Sequence, residues 1–209
     1  MLISTISSLS ASRFLHERRR SCLRGTCYHI ADIATSESLD ITIYPLPPLL
    51  HNRPEKIAGE VDSLLTEIKD KHEKCAVAYA DCGTYGALDT VIAAHGVKRL
   101  GGNHCYDIFA GAKKIEEIME SDAGTYFLTD FLAKSFHRSV MVELGLDKRP
   151  ELRDDYFKNY SRVIWLAQVP SKELEELASQ AAASIGLPLE IQNVGYGQLA
   201  QQVKELLSN

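Results

Sequence analysis

The chain has 209 residues, 45% of them hydrophobic and 24% charged, with a formal net charge of -5. Such a composition can bury a sizeable core and argues against disordered and low-complexity classes, and its acidic balance argues against a general binder of nucleic acid or anionic membranes. No apolar run approaches the ~20 residues of a membrane span. The five cysteines are odd in number and irregularly spaced, unlike a secreted disulfide framework, so a soluble protein of the reducing cytoplasm is expected.

The first 27 residues, "MLISTISSLSASRFLHERRRSCLRGTC", are rich in serine and arginine and contain one acid, Glu17. They read as an irregular or targeting-like extension, and as a transit peptide they would direct the chain to an organellar stroma or matrix. Residues 28–209 are then expected to form a single α/β domain. "LDITIYPLP" has the β-branched and aromatic content of a strand that ends at its prolines. Pro54 opens a helix in which Ile57, Val61, Leu64, Leu65 and Ile68 share one face. "CAVAYAD" (75–81) is a near-continuous apolar strand. "GALDTVIAAHG" is a helix closed by Gly96, "VKRLGG" a short strand, and "YDIFAGAKKIEEIMESDAG" the next helical segment.

"GTYFLTD" predicts a strand leading into the helical "FLAKSFHRSVMVELGL", and "PELRDDYFKNY" another helix behind its proline. "SRVIWLAQ" is a strand, Lys172 to Ile185 a helix, "LEIQNV" a strand, and Gln198 to Leu207 the last helix. Alternation of this kind implies a three-layer, Rossmann-like open sheet, mostly parallel, with helices on both faces.

In open α/β sheets ligands bind beyond the carboxyl ends of the strands. His51 falls there after the first strand, Asp81 and Cys82 after the second, Asn103, His104 and Cys105 after the third, Asp130 after the fourth and Gln168 after the fifth. Cys82 is expected to gain thiolate character from the helix start that follows it. Backbone N–H groups of "CGTYG", with Gly83 and Thr84, fit the cradling of an anion, and Asn103 and Gln168 are further ligand-binding candidates. Asp81 and Asp130 are the candidate acid or base, or caps of their turns. Cys82, His104 and Cys105, with His51 as a fourth candidate, are thiolate and imidazole donors suited to zinc, iron or an iron–sulfur cluster.

The pieces "LPPLLHNRPEKI" (46–57), "YADCGTYGALD" (79–89), "GGNHCYDIFAG" (101–111), "GTYFLTDFLAKSF" (124–136), "LGLDKRPELRDDYFKNY" (144–160), "WLAQ" (165–168) and "GYGQL" (195–199) resemble, in order, the bacterial and archaeal domain of unknown function 1638 family. That family has no settled activity. Its members often occur beside corrinoid-dependent methyltransferases and tetrahydrofolate one-carbon enzymes. The resemblance therefore implies an accessory or enzymatic part in methyl-group metabolism, with a corrinoid or methyltransferase protein as partner. Typical members begin with a strand running into a "CGAL" turn. Here the corresponding stretch reads "SCLRGTCYHIADI", where Cys22 and Cys27 are rival replacements for the family's cysteine.

Three functions are expected to compete. The first is a metal site at the carboxyl edge of the sheet serving a small-molecule ligand or substrate. The second is a metal-free transferase or hydrolase with Cys82 as nucleophile, His104 as base and the "CGTYG" N–H groups as an oxyanion hole. The third is a non-catalytic docking module for a corrinoid protein, which an exposed apolar patch around Leu49, Leu50, Tyr85 and Phe109 would favour.

Overall fold

The computed structural model describes residues 2–5, 26–47 and 50–208. They form an α/β protein of two units, the first comprising residues up to Ile108 together with Gln198–Asn209, the second Phe109–Gly197.

The first unit is built on a four-stranded sheet. Its strands are β1 (Leu2–Thr5), β2 (Ile41–Tyr44), β3 (Lys74–Val77) and β4 (Lys98–Arg99), in the order β2-β1-β3-β4. β1 pairs antiparallel with both neighbours, Ile3 lying opposite Ile43 on one side and Ala76 on the other. β3 and β4 run parallel over two residue pairs, Ala76 with Lys98 and Val77 with Arg99.

A single, mostly parallel sheet was the expectation, and the placement of β1 changes it. Residues 2–5, assigned by composition to an extension outside the fold, supply an interior strand, paired with β2 on one side and β3 on the other. A helix the periodicity did not reveal, α1 (Thr26–Ser36), precedes β2. Its buried Cys27, Ile30, Ile33 and Ala34 follow the helical spacing, with His29 buried among them.

α2 (Ile57–Ile68) follows a 3-10 turn at Pro54–Lys56 whose proline needs no N–H partner. It lays Ile57, Val61, Leu65 and Ile68 against Val77 of β3 and against Leu88 and Ile92 of α3 (Ala87–His95). α3 stops at Gly96, whose left-handed φ of 65 lets its N–H reach back to the Ala93 carbonyl.

Where "YDIFAGAKKIEEIMESDAG" reads as one helical segment, there are two helices, α4 (Cys105–Ala110) and α5 (Ala112–Ser121), broken at Gly111. The boundary between the units falls within α4. A three-stranded parallel sheet then follows, with β6 (Arg162–Ala167) between β5 (Thr125–Thr129) and β7 (Leu189–Asn193). α6 (Asp130–Phe136) starts directly from β5 and continues into a π-helical turn at His137–Val142, and α7 (Arg153–Phe157) precedes β6. α8 (Lys172–Ile185) connects β6 to β7, capped by Ser171, whose hydroxyl accepts from the Leu174 N–H at 3.2 Å.

β6 is apolar and buried on both faces from Val163 to Ala167. Val163, Trp165 and Ala167, alternate residues of the strand, join Leu128, Phe136 and the α8 residues Leu174, Ala178 and Ile185 in one cluster. The last helix, α9 (Leu199–Ser208), belongs to the first unit, where it contacts β3 and α1 and its Lys204 pairs with Glu37 at 2.7 Å.

Among the described residues no helix is long and apolar enough to cross a membrane. Leu65, fully buried between α3 and β3, tests the first unit's core. Leu65→Ala is expected to cost about 2–5 kcal/mol, read as a lower urea midpoint with an unchanged slope.

Candidate functional site

The ends of β3 and β4 are joined beyond the last strand residues. The Leu100 N–H donates to the Val77 carbonyl at 3.0 Å, the Asp81 N–H to Gly102 O at 3.3 Å, and the Cys82 N–H to Asn103 O at 2.7 Å. These bonds carry the pairing from sheet into loop and bring "DCGTYG" alongside "GGNHCYD". Cys82 and Cys105, 23 positions apart in the chain, become neighbours. The Cys105 N–H is aimed at the Cys82 sulfur, and each thiol lies in the electrostatic field of this turn pair.

Each turn is organised by its own aspartate. The Asp81 carboxyl oxygens accept the Thr84 hydroxyl and the N–H groups of Tyr85 at 3.1 Å and Gly86 at 3.4 Å. The Thr84 N–H bonds the Asp81 carbonyl at 3.1 Å, and the Thr84 hydroxyl in turn accepts from the Leu88 N–H at 3.4 Å. The concavity that the sequence offered to an external anion is therefore filled by the chain's own carboxyl group, and Thr84 serves the start of α3. Gly83, at φ 86, lies over the Pro54 ring, to which a Cβ would come within 3.6 Å.

In the second turn Asp107, buried, accepts the N–H groups of Asn103 at 2.9 Å and His104 at 3.0 Å. Gly102 is required here: its φ is 94, and a Cβ would stand 2.9 Å from the Asp107 Cβ. Arg99 holds the same turn from below. Its guanidinium donates to the Leu100 and Gly102 carbonyls at 2.8 and 3.1 Å while gripping both Asp89 oxygens. The ion pair favours both charges, lowering Asp89 and raising Arg99 from their ordinary values.

The side chains that converge are His51, Tyr79, Cys82, His104 and Cys105. Tyr79, which the apolar pattern "AVAYA" assigned to a core strand, lies just past β3. Its phenol oxygen is 2.8 Å from His51 Nδ1. Burial, and then the nearby thiols of Cys82 and Cys105, push the phenol's pKa strongly up. His51 is lowered by the surrounding protein and by the His104 ring. His104 is half exposed, stacked on Tyr106 with ring centroids 4.7 Å apart, its Nδ1 3.8 Å from Asp107.

The surroundings of Cys82 oppose the activation expected of it. Cys82 is buried at a left-handed φ of 49, and α3 begins only at Ala87, beyond the turn. Burial, followed by the adjacent Cys105, raises its thiol far above the ordinary range. Cys105, half-buried, is likewise raised by burial, to about 11. Among the described residues, no three His, Cys, Asp or Glu side chains stand together as a ready metal cluster.

Asp130 and Gln168 belong to the second unit and form a cluster of their own. The Asp130 carboxyl oxygens accept Trp165 Nε1–H at 2.9 Å and the N–H groups of Gln168 at 3.1 Å and Val169 at 2.8 Å. Gln168 Oε1 accepts the Asp130 N–H at 2.8 Å, and its amide donates to the Leu166 carbonyl. Both side chains are buried and spent on joining the ends of β5 and β6. Leu50 and Phe109 are also buried, which leaves Tyr85 as the exposed member of the anticipated docking patch among the described residues; Leu49 and Cys22 lie outside them.

The family model described as "Protein of unknown function (DUF1638)" matches residues 45–203, a span containing every residue discussed at these strand ends. No curated protein and no solved structure matches the chain.

Two outcomes follow from this geometry. Alkylation by iodoacetamide, mapped by mass spectrometry across pH, should leave Cys82 and Cys105 unmodified near neutrality, with the rate at Cys105 half-maximal near pH 11 where that of a free thiol is half-maximal near 9. Preferential labelling of Cys82 at pH 7 would contradict its burial. Asp130→Ala should lower stability by about 3 kcal/mol or more, because three N–H donors lose their acceptor. Chemical denaturation measures it.

Proposed function

The chain belongs to the domain of unknown function 1638 family, and on that premise we propose that it binds a thiophilic metal ion, zinc or iron, between Cys82 and Cys105, with His104 as third ligand. The observation that carries this reading is the 2.7 Å bond from the Cys82 N–H to Asn103 O, which sets a thiol-bearing turn against a second one. Two soft donors brought side by side from separate loops, with imidazoles at the rim, match the preferences of such ions.

The same environment weighs against the metal-free nucleophile. A thiol that burial holds protonated is a poor nucleophile, whereas a bound cation stabilises thiolates directly and displaces their protons. Asp81 suits a supporting role, since the Thr84 hydroxyl and two backbone N–H groups already occupy its oxygens. His104, half exposed, stacked on Tyr106 and 3.8 Å from Asp107, is the imidazole we assign as third ligand. When bound, the ion would supply Lewis acidity toward a small-molecule ligand.

The setting we propose is corrinoid- or folate-linked methyl metabolism, on the strength of the family resemblance. Parallel strand pairs joined through helices support a Rossmann-like reading of the fold.

Protein purified without oxygen should carry about one zinc or iron per chain by elemental analysis, and Cys82→Ser and Cys105→Ser should each lose it. Binding to the metal-free protein at pH 7 should release about two protons, read from the dependence of calorimetric heat on buffer ionisation. Metal-free wild type that takes up neither ion, or full occupancy in both serine variants, would sink the proposal.

A further inference from the structure

Tyr79 is the member of this site that the sequence did not announce, and its hydrogen bond bears on what His51 does. We infer that Tyr79 is a positioning residue whose phenol O–H donates to His51 Nδ1, holding the ring with its proton on Nε2. His51 then presents an N–H donor, not a lone pair, to whatever occupies the site.

The contact is 2.8 Å, between residues 28 positions apart. Either atom can in principle be the donor. If His51 donated from Nδ1, the phenol proton would need a second acceptor. Tyr79 has no other hydrogen bond among the described residues. The thiols of Cys82 and Cys105 make themselves felt at its oxygen, but a thiol is a weak acceptor and itself carries a proton. A half-buried O–H left unmatched costs about 1–3 kcal/mol. The opposite arrangement satisfies the phenol completely and leaves the proton on the second ring nitrogen of His51, a residue that is exposed. A neutral imidazole protonated at Nε2 and bonded at Nδ1 has no free lone pair for a metal.

His51 is thereby reassigned from a fourth metal ligand to a hydrogen-bond donor. Its partner would be an oxygen acceptor, a water or a carboxylate oxygen, on the non-protein ligand at an open coordination position. That partner rests on the metal reading given above; the tautomer does not. The two therefore fail separately.

Long-range ¹H–¹⁵N correlation spectra of histidine-labelled, metal-free protein at pH 8 decide the matter. Wild type should show His51 as a single tautomer, with Nε2 at the protonated shift and Nδ1 at the unprotonated, hydrogen-bonded shift. Tyr79→Phe should collapse this to averaged shifts for both nitrogens while leaving the His104 pattern unchanged. A His51 protonated on Nδ1, averaged shifts in wild type, or an unaltered His51 pattern in Tyr79→Phe would each overturn the inference. Should Tyr79→Phe fail to fold, the wild-type spectrum still decides which nitrogen carries the proton.

Discussion

The hydrogen bond from the Cys82 N–H to the Asn103 carbonyl, 2.7 Å long, is the contact on which the arrangement at the end of β3 and β4 depends. The two strands pair over only two residues each, too short a ladder to hold their exits in register. Continuing the pairing through Leu100, Asp81 and Cys82 extends that ladder into the loops without requiring extended backbone. Cys82 achieves it at a φ of 49 and Tyr85 sits at 51, conformations that cost a non-glycine residue about 1 kcal/mol or more. The Asp81 carboxyl group offsets that strain by accepting the Thr84 hydroxyl and two N–H groups of the same turn.

One device recurs. Asp81, Asp107 and Asp130 each place a carboxyl group where a strand or turn exposes several N–H donors. The donors include Trp165 Nε1–H in the case of Asp130. Fixed backbone dipoles are thus neutralised by the chain itself, so that these aspartates frame the loops. The sulfur, imidazole and phenol groups at the β3–β4 edge are not committed in the same way.

Much of the fold was legible. The strands at 41–44, 125–129 and 162–167 and the helices at 57–68, 87–95 and 172–185 fall within the runs where periodicity placed them, because each carries its burial pattern within a few consecutive residues, whereas the strand expected over 75–81 ends at Val77. Leu2–Thr5 and Thr26–Ser36 were missed. The first is only four residues long and the second lies beside an arginine- and serine-rich stretch whose composition obscured it. The break at Gly111 and the π-helical turn after Phe136 are likewise local departures within runs that read as continuous helix.

At the candidate site, the cysteines and His104 could be placed near strand ends from the sequence alone. Tyr79 was not, because a tyrosine in "AVAYA" satisfies a strand pattern equally well whether it packs or bonds a histidine 28 residues away. The sequence by itself determined which residues reach the strand ends, since alternation and glycine punctuation are properties of neighbouring residues. Only the tertiary structure decided which side chains remain available there. Asp81, Thr84, Asp130 and Gln168 are consumed by hydrogen bonds within their own frameworks, while Cys82, Cys105, His51 and Tyr79 are gathered together. That division depends on non-local bonds and on burial, and neither is written in the spacing of a chain.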